Sequence, residues 1–332
     1  MAPGPLLLDN HSWKQLLKER RHSSGGGSVP LRWHRLIDEI SRELTGEPIE
    51  PWTLRHAFSR HAQLIAWLPS LSAVFMAFRK RGHLIYLCWG VPAYKGLKRM
   101  AFRLMLTRAA HLLVNEDVTR TQIKAAIGRS ARIVPYFVDT DYFSYHPVGG
   151  RKGFLFCAGS NDRDPEVLLG LAEVGYEVVW LVNDPRLLAT YSNRHSRLQV
   201  RSRVPYEILR KLYQTCAAVV SPLARDLHAA GQSTGLEALA CGAPLLISPC
   251  RAATLFEAMP SVCVVESSEP AVWSRAVQDL SDRVAKEPRL TEIVALTVGK
   301  RFTYEAVKEI LAGCLTCSQL RDGVQHYKVQ KT

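Results

Sequence analysis

Short apolar runs alternate along this chain with longer stretches in which apolar residues recur every three or four positions. HLIYLCW (83–89), AHLLVN (110–115) and ARIVPY (131–136) are strands by length, and 97–107 and 118–127 between them carry a helical period. After Gly149-Gly150 the rhythm restarts with GFLFCAG, a helix from Pro165, YEVVWLV, LQVRS, a helix from Pro205 and AAVVSP. One further helix, APLLIS and SVCVVE follow. Buried strands alternating with helices build βαβ units and parallel sheets. The turn-rich DYFSYHPVGGRKG separates the two series and marks a domain boundary. The pattern predicts an α/β chain with a Rossmann-like domain over 1–145, a second over 146–318 and a polar tail over 319–332. The two domains are expected to face each other across a cleft, the first being short for its type. Helical patterns at Trp13–Arg21 and Leu31–Glu43 flank HSSGGGS, read as a flexible loop because no strand is recognised before it. Two more helices are expected at 269–282 and 304–317.

The stretch AAGQSTGLEALACGAPLLIS (229–248) carries the most chemistry. A helix is expected over Thr234–Cys241, stopped by Gly242 and Pro244, before a strand at Leu245–Ile247. Gly231, Gln232, Ser233 and Thr234 then present backbone amides and two hydroxyls at a helix N-terminus, a geometry that binds phosphate. The plain alternative is a loop capped by Ser233 or Thr234. Glu237 is open to two readings, a capping-box glutamate or a carboxylate accepting the two hydroxyls of a ribose.

In doubly wound sheets ligands sit at the carboxyl ends of the strands. Three such ends here are polar or cationic. After GFLFCAG come Ser160, Asn161, Asp162, Arg163 and Asp164, where Ser160 and Asn161 donate hydrogen bonds and Arg163 offers a fork to phosphate oxygens. After AAVVSP come Leu223, Ala224, Arg225 and Asp226; after YEVVWLV come Asn183, Asp184, Pro185 and Arg186.

Composition narrows the picture. Hydrophobic residues at 47% and charged residues at 22% describe a folded, soluble chain, and 332 residues fit two domains. The formal charge of +13 suits anionic small molecules, nucleic acid or an anionic membrane face. The eight cysteines are scattered through apolar stretches, as buried thiols in a reducing compartment. The close pair Cys314 and Cys317 lacks a second ligand pair for zinc. The apolar window 62–78 contains Gln63 and Pro69 and falls short of about 20 apolar residues, so a buried strand followed by a helix is expected, not a membrane span. MAPGPLLLDN has neither the basic start nor the apolar core of a signal peptide. A cytoplasmic protein is expected.

From about Ala62 to Pro260 the chain resembles GT-B glycosyltransferases of the retaining, nucleotide-sugar-dependent type, family 4-like. ARIVPYFVDTDYF is similar to the interdomain stretch of that family, and FLFCAGSNDRD to its glycine and cation loop. VPYEILRKLYQTCAAVVSPL and, most specifically, AGQSTGLEALACGAPLL are similar to its donor-site helices and loop. The resemblance implies that Glu237 holds the donor ribose and that Gly231, Gln232, Ser233 and Thr234 hold the diphosphate. Arg163 takes the basic phosphate position beside Gly159, Ser160 and Asn161, with Arg225 nearby. It further implies sugar transfer to a glycan, lipid-linked or small-molecule acceptor, with retention of configuration. No cofactor and no metal ion are expected beyond the nucleotide-diphosphate sugar itself, and no Asp-x-Asp metal motif is recognised.

Two departures stand out. Many members carry a second glutamate eight residues before the first, where this chain has Ala229. Their His-Gly pair is Trp89-Gly90 here. These departures keep open a binding-only relative, and a nucleotide-sugar epimerase on the same fold is the other alternative. A nucleic-acid partner is not expected, because aromatic platforms among the cations are absent. Lys95, Lys98, Arg99, Arg103 and Arg108, interleaved with apolar residues, form either a solvated helix face or a surface for the anionic cytoplasmic face of a membrane.

Overall fold

The structure, a computed structural model, describes residues 101–147, 151, 153–202, 204–224 and 230–314. Of the first hundred it describes 6–8, 36–39, 41–42, 50–51, 63–66, 73–74, 76–77, 84–88, 91 and 94–100. The expected helix at 13–21, the glycine run at 22–28, the segment 225–229 and the tail beyond 314 lie outside the described residues.

The chain divides into two compact units. The first runs to Pro135 and takes in the helix over 304–314, and the second spans Tyr136–Thr303. Among the described residues the first unit holds six parallel strands: β1 (Leu6–Leu8), β2 (Glu50–Pro51), β3 (Gln63–Ala66), β4 (Leu84–Cys88), β5 (His111–Val114) and β6 (Arg132–Ile133). Their order is β2-β1-β3-β4-β5-β6. β1 corrects the expectation that no strand precedes the glycine run: three leucines between Pro5 and Asp9 are too short an apolar run to stand out. The described residues of the window 62–78 follow the expectation, β3 and then helical residues at 73–74 and 76–77. Helix α1 (Gly96–Arg108) and helix α2 (Asp117–Ile127) pack Phe102, Met105, Leu106 and Ile123 onto Leu84, Tyr86 and Leu112. The Arg129 guanidinium donates to the carbonyls of Leu106, Thr107 and Ala109 at 2.9, 2.7 and 2.9 Å, closing the C-terminal end of α1.

The second unit repeats the scheme with β7 (Phe154–Ala158), β8 (Glu177–Leu181), β9 (Leu198–Arg201), β10 (Ala218–Ser221), β11 (Leu245–Ile247) and β12 (Val262–Val264). All pair in parallel, in the order β12-β11-β10-β7-β8-β9. Read from β9, this is the doubly wound order 3-2-1-4-5-6, which reverses direction between β7 and β10. Six helices flank the strands: α3 (Pro165–Glu173), α4 (Pro185–Tyr191), α5 (Tyr206–Thr215), α6 (Gln232–Ala240), α7 (Pro270–Lys286) and α8 (Arg289–Arg301).

Successive strand residues face opposite cores. Leu155, Cys157, Ala218, Val220 and Leu246 join Trp180 and Trp273 in one. Phe156, Ala158, Val219, Leu245 and Ile247 join Tyr213, Leu236 and Phe256 in the other. Burial on both faces explains why the inner strands read as unbroken apolar runs, whereas β9 alternates buried and exposed residues. Val138, just before the turn-rich segment, and Tyr142 and Phe143 at its start belong to the second core.

Candidate functional site

The place where strand order reverses leaves a crevice at the carboxyl ends of β7 and β10, and two loops meet there. The Asp164 amide donates to the Pro222 carbonyl at 3.0 Å and the Ala224 amide to the Asp162 carbonyl at 2.9 Å, around an antiparallel bridge between Arg163 and Leu223. Gly159, at φ 102°, turns the chain out of β7, and its carbonyl is held by the indole N–H of Trp180 at 2.9 Å. Asp162, at φ 53°, turns it back. The next helix starts on an Asp-Pro pair, with the Asp164 carboxylate accepting from the Glu166 amide at 3.1 Å. Asp184 and Pro185 start α4 in the same way.

This lacing buries Arg163, which is only 8% exposed. Its guanidinium donates to the carbonyls of Ala158 at 2.8 Å and Asn161 at 3.2 Å, and reaches Thr234 Oγ1 at 3.5 Å. Its Nε has no hydrogen-bond partner and no carboxylate pairs with it among the described residues. A buried cation without a counter-charge is costly in an empty protein and valuable when an anion arrives. Ser160 adds a directed donor: its hydroxyl oxygen accepts from the amides of Asn183 at 2.6 Å and Asp184 at 3.3 Å, which leaves its proton to be given outward. Asn161 is exposed, with its side chain unengaged by the described residues.

Helix α6 faces Arg163 with its N-terminus, but it begins earlier than its sequence suggests. Gln232, Ser233 and Thr234 form the first turn instead of a loop, and the N-cap is Gly231, not Ser233 or Thr234. Gly231 sits at φ 87°, and its carbonyl accepts the first helical bond, from Gly235, at 2.8 Å. The amides of the turn before Gly235 thus point out of the helix end toward the crevice. Gln232 is fully buried and exposes no side chain at the helix end. At the other end Gly242 stops the helix as expected, at φ 73°, with bonds from Gly242 to Leu239 and from Ala243 to Ala238.

The early start removes one of the two readings of Glu237, the capping box. A capping-box glutamate stands three residues after the cap, at Thr234; Glu237 lies a turn deeper. It is 5% exposed, and its Oε2 accepts the Tyr213 hydroxyl at 3.2 Å. Tyr213, on α5, is itself fixed by edge-to-face contacts with Phe143 and Phe156 at 6.1 and 5.1 Å.

The sequence did not point to Ser221, at the end of β10. It is fully buried, and its Oγ finds no hydrogen-bond partner among the described residues. A side chain at position 231 would come within 3.5 Å of it. Its one signal was a serine directly before a proline at the end of an apolar run. Arg225 and Ala229, and with them Asp226 and His228, lie outside the described residues.

Two Asp-x-Asp spellings do occur, at 139–141 and 162–164. Asp164 caps α3, and Asp139 Oδ1 accepts the Tyr142 amide at 3.0 Å. Among the described residues no group of three His, Cys, Asp or Glu side chains could hold a metal ion. No helix among them is long and apolar enough to cross a membrane.

No protein-family model matches this chain, and no curated protein matches it by sequence. Solved structures do. A glycosyltransferase from Rickettsia africae superposes with a TM-score of 0.69 at 9% identity, over 96% of this chain and 99% of that one. WaaG, a glycosyltransferase involved in lipopolysaccharide biosynthesis, gives 0.59 at 12% identity over 94% and 99%. TarM gives 0.60 at 10% identity over 77% of this chain, and the match spans only 55% of TarM. A TarM variant from S. aureus has been solved with Fondaparinux, alpha-GlcNAc-glycerol and UDP. At these identities the likeness establishes the architecture: the chain has the GT-B fold, as its sequence led one to expect.

Proposed function

We propose that the protein is a glycosyltransferase that takes a sugar from a nucleoside-diphosphate donor and passes it to a hydroxyl of a glycan, lipid-linked or small-molecule acceptor. The observation that carries this reading is Arg163, a buried cation facing no carboxylate among the described residues, set against the N-terminus of α6 at the switch point of a doubly wound sheet. An anion belongs there, and a diphosphate fits both the fork of Arg163 and the outward amides of Ser233 and Thr234. Glu237, further along the same helix, would accept the 2′- and 3′-hydroxyls of the ribose, with Tyr213 holding the carboxylate in place.

When the bond from sugar C1 to the β-phosphate oxygen breaks, negative charge grows on the diphosphate and the sugar becomes oxocarbenium-like. Arg163, the Ser160 hydroxyl and the α6 amides meet that charge without rearrangement. The acceptor oxygen forms the new bond to C1, and its proton passes to the departing phosphate, which requires attack on the side the phosphate leaves. Retention follows. In this account protein cations and amides meet the charge without a metal ion, and no cofactor takes part. UDP, bound in the TarM complex, is the first nucleotide to try.

Incubation with UDP-hexoses, with and without chelator, tests the activity. Slow release of UDP in water, faster with glycan or lipid-linked hydroxyl acceptors and unchanged by EDTA, is the expected outcome. Tight nucleotide binding with no turnover of any nucleotide sugar would instead identify the binding-only relative that Ala229 leaves open.

A further inference from the structure

Helix α1 begins against its own dipole. Lys95 stands at its N-cap, Lys98 and Arg99 follow within the first turn, no acidic residue lies in that turn, and no side chain caps it. The segment 94–108 contains no Asp or Glu at all. Cations at the positive end of a helix are unfavourable in isolation, and an anionic surface reverses the sign.

The same end is apolar as well as cationic. Leu97 is 80% exposed and Met100 67%, the two most exposed large hydrophobic residues described. They stand at i and i+3, with Leu104 at i+7, on a face turned away from the buried Phe102 and Leu106. This tip does not float. Phe102 meets Tyr94 and Tyr86 edge-on at 5.6 and 6.2 Å, and Arg129 clamps the carbonyls at the far end. A rigid helix therefore holds two aliphatic side chains and a ring of cations clear of the core.

We propose that the N-terminal end of α1 docks on an anionic lipid bilayer. Headgroup phosphates would meet Lys95, Lys98, Arg99 and Arg103, while Leu97 and Met100 enter the boundary between headgroups and acyl chains. A free phosphate or a nucleic acid has no use for the two aliphatic side chains; a bilayer uses both features. The inference does not depend on the nucleotide reading, because no residue is shared between the two sites.

The test is co-sedimentation of the full chain with vesicles of phosphatidylcholine alone or mixed with phosphatidylglycerol. Three proteins are compared: the wild type, the double variant Lys98→Gln/Arg99→Gln, and the double variant Leu97→Ser/Met100→Ser. All four side-chain changes are at exposed positions, and circular dichroism melting checks that each variant folds. The wild type should bind only the phosphatidylglycerol vesicles, less as salt rises. Loss of the cations should weaken binding by about fivefold per charge, and loss of the aliphatic pair by about tenfold or more. Absence of sedimentation, equal binding to phosphatidylcholine alone, or undiminished binding by Leu97→Ser/Met100→Ser would each overturn the proposal.

Discussion

Arg163 has a close neighbour whose chemistry responds to it. Cys157 lies fully buried in β7, and burial pushes its thiol up to about 11, although the Arg163 guanidinium pulls the other way. Cys216 is pushed up to about 12 by the same cause, and Cys241 is raised further, by burial first and by the Glu237 carboxylate second. These thiols are neutral in the folded protein at pH values where an exposed cysteine ionises. The folded state then holds protons that the unfolded chain releases, so stability falls as pH rises from about 9 toward about 11 and is fully present below that window. Melting temperatures measured across this range should be level below about pH 9 and decline steadily above it. A level profile to pH 11 would mean that the thiols are not buried as described. Their burial was legible in the sequence, since every one of the three stands in an apolar run or a helical apolar face. The partnership of Tyr213 with Glu237 was not, because it joins two helices that only tertiary packing brings together.

At the scale of elements, helix α6 carries the site, and its start depends on one backbone conformation. Gly231 at φ 87° lies in the left-handed region, where any other L-residue costs about 1–2 kcal/mol. Gly231→Ala should therefore lower the melting temperature by roughly 2–8 °C. Gly153→Ala, with open space around the position and no positive φ, should leave it unchanged and serves as the control. Equal melting of both variants would contradict the cap. The sequence placed this helix two residues late because Ser and Thr are stronger cap residues than Gly by composition. The left-handed conformation that makes Gly231 the cap is a backbone state that no local pattern records. The stop at Gly242, by contrast, was legible, since a glycine followed by Ala-Pro leaves a helix no way to continue.

For the whole molecule, two six-stranded parallel sheets and their helices follow from a rhythm visible without any structure. Strands buried on both faces announce themselves as apolar runs, and that is why the α/β architecture was readable from Ala62 onward. β1 and the two-residue β2 were not readable, because their pairing partners, not their own residues, make them strands. Strand order was equally hidden, and it is what puts the loops after β7 and β10 side by side. The net charge of +13 gives the whole surface a field that attracts anionic molecules.

The central claim is that Arg163 and the N-terminus of α6 hold a diphosphate, with Glu237 reading the ribose. Titration calorimetry tests it most directly, with inorganic pyrophosphate and the five nucleoside diphosphates UDP, GDP, TDP, CDP and ADP, on wild type, Arg163→Gln and Glu237→Ala. The wild type should bind pyrophosphate and one nucleotide more tightly. Arg163→Gln should lose about 10- to 100-fold for both, as expected for charge-assisted hydrogen bonds of about 1.5–3 kcal/mol. Glu237→Ala should keep its affinity for pyrophosphate and lose the advantage of the nucleotide. Wild-type affinity in Arg163→Gln, or no binding by any of the three proteins, would contradict the account.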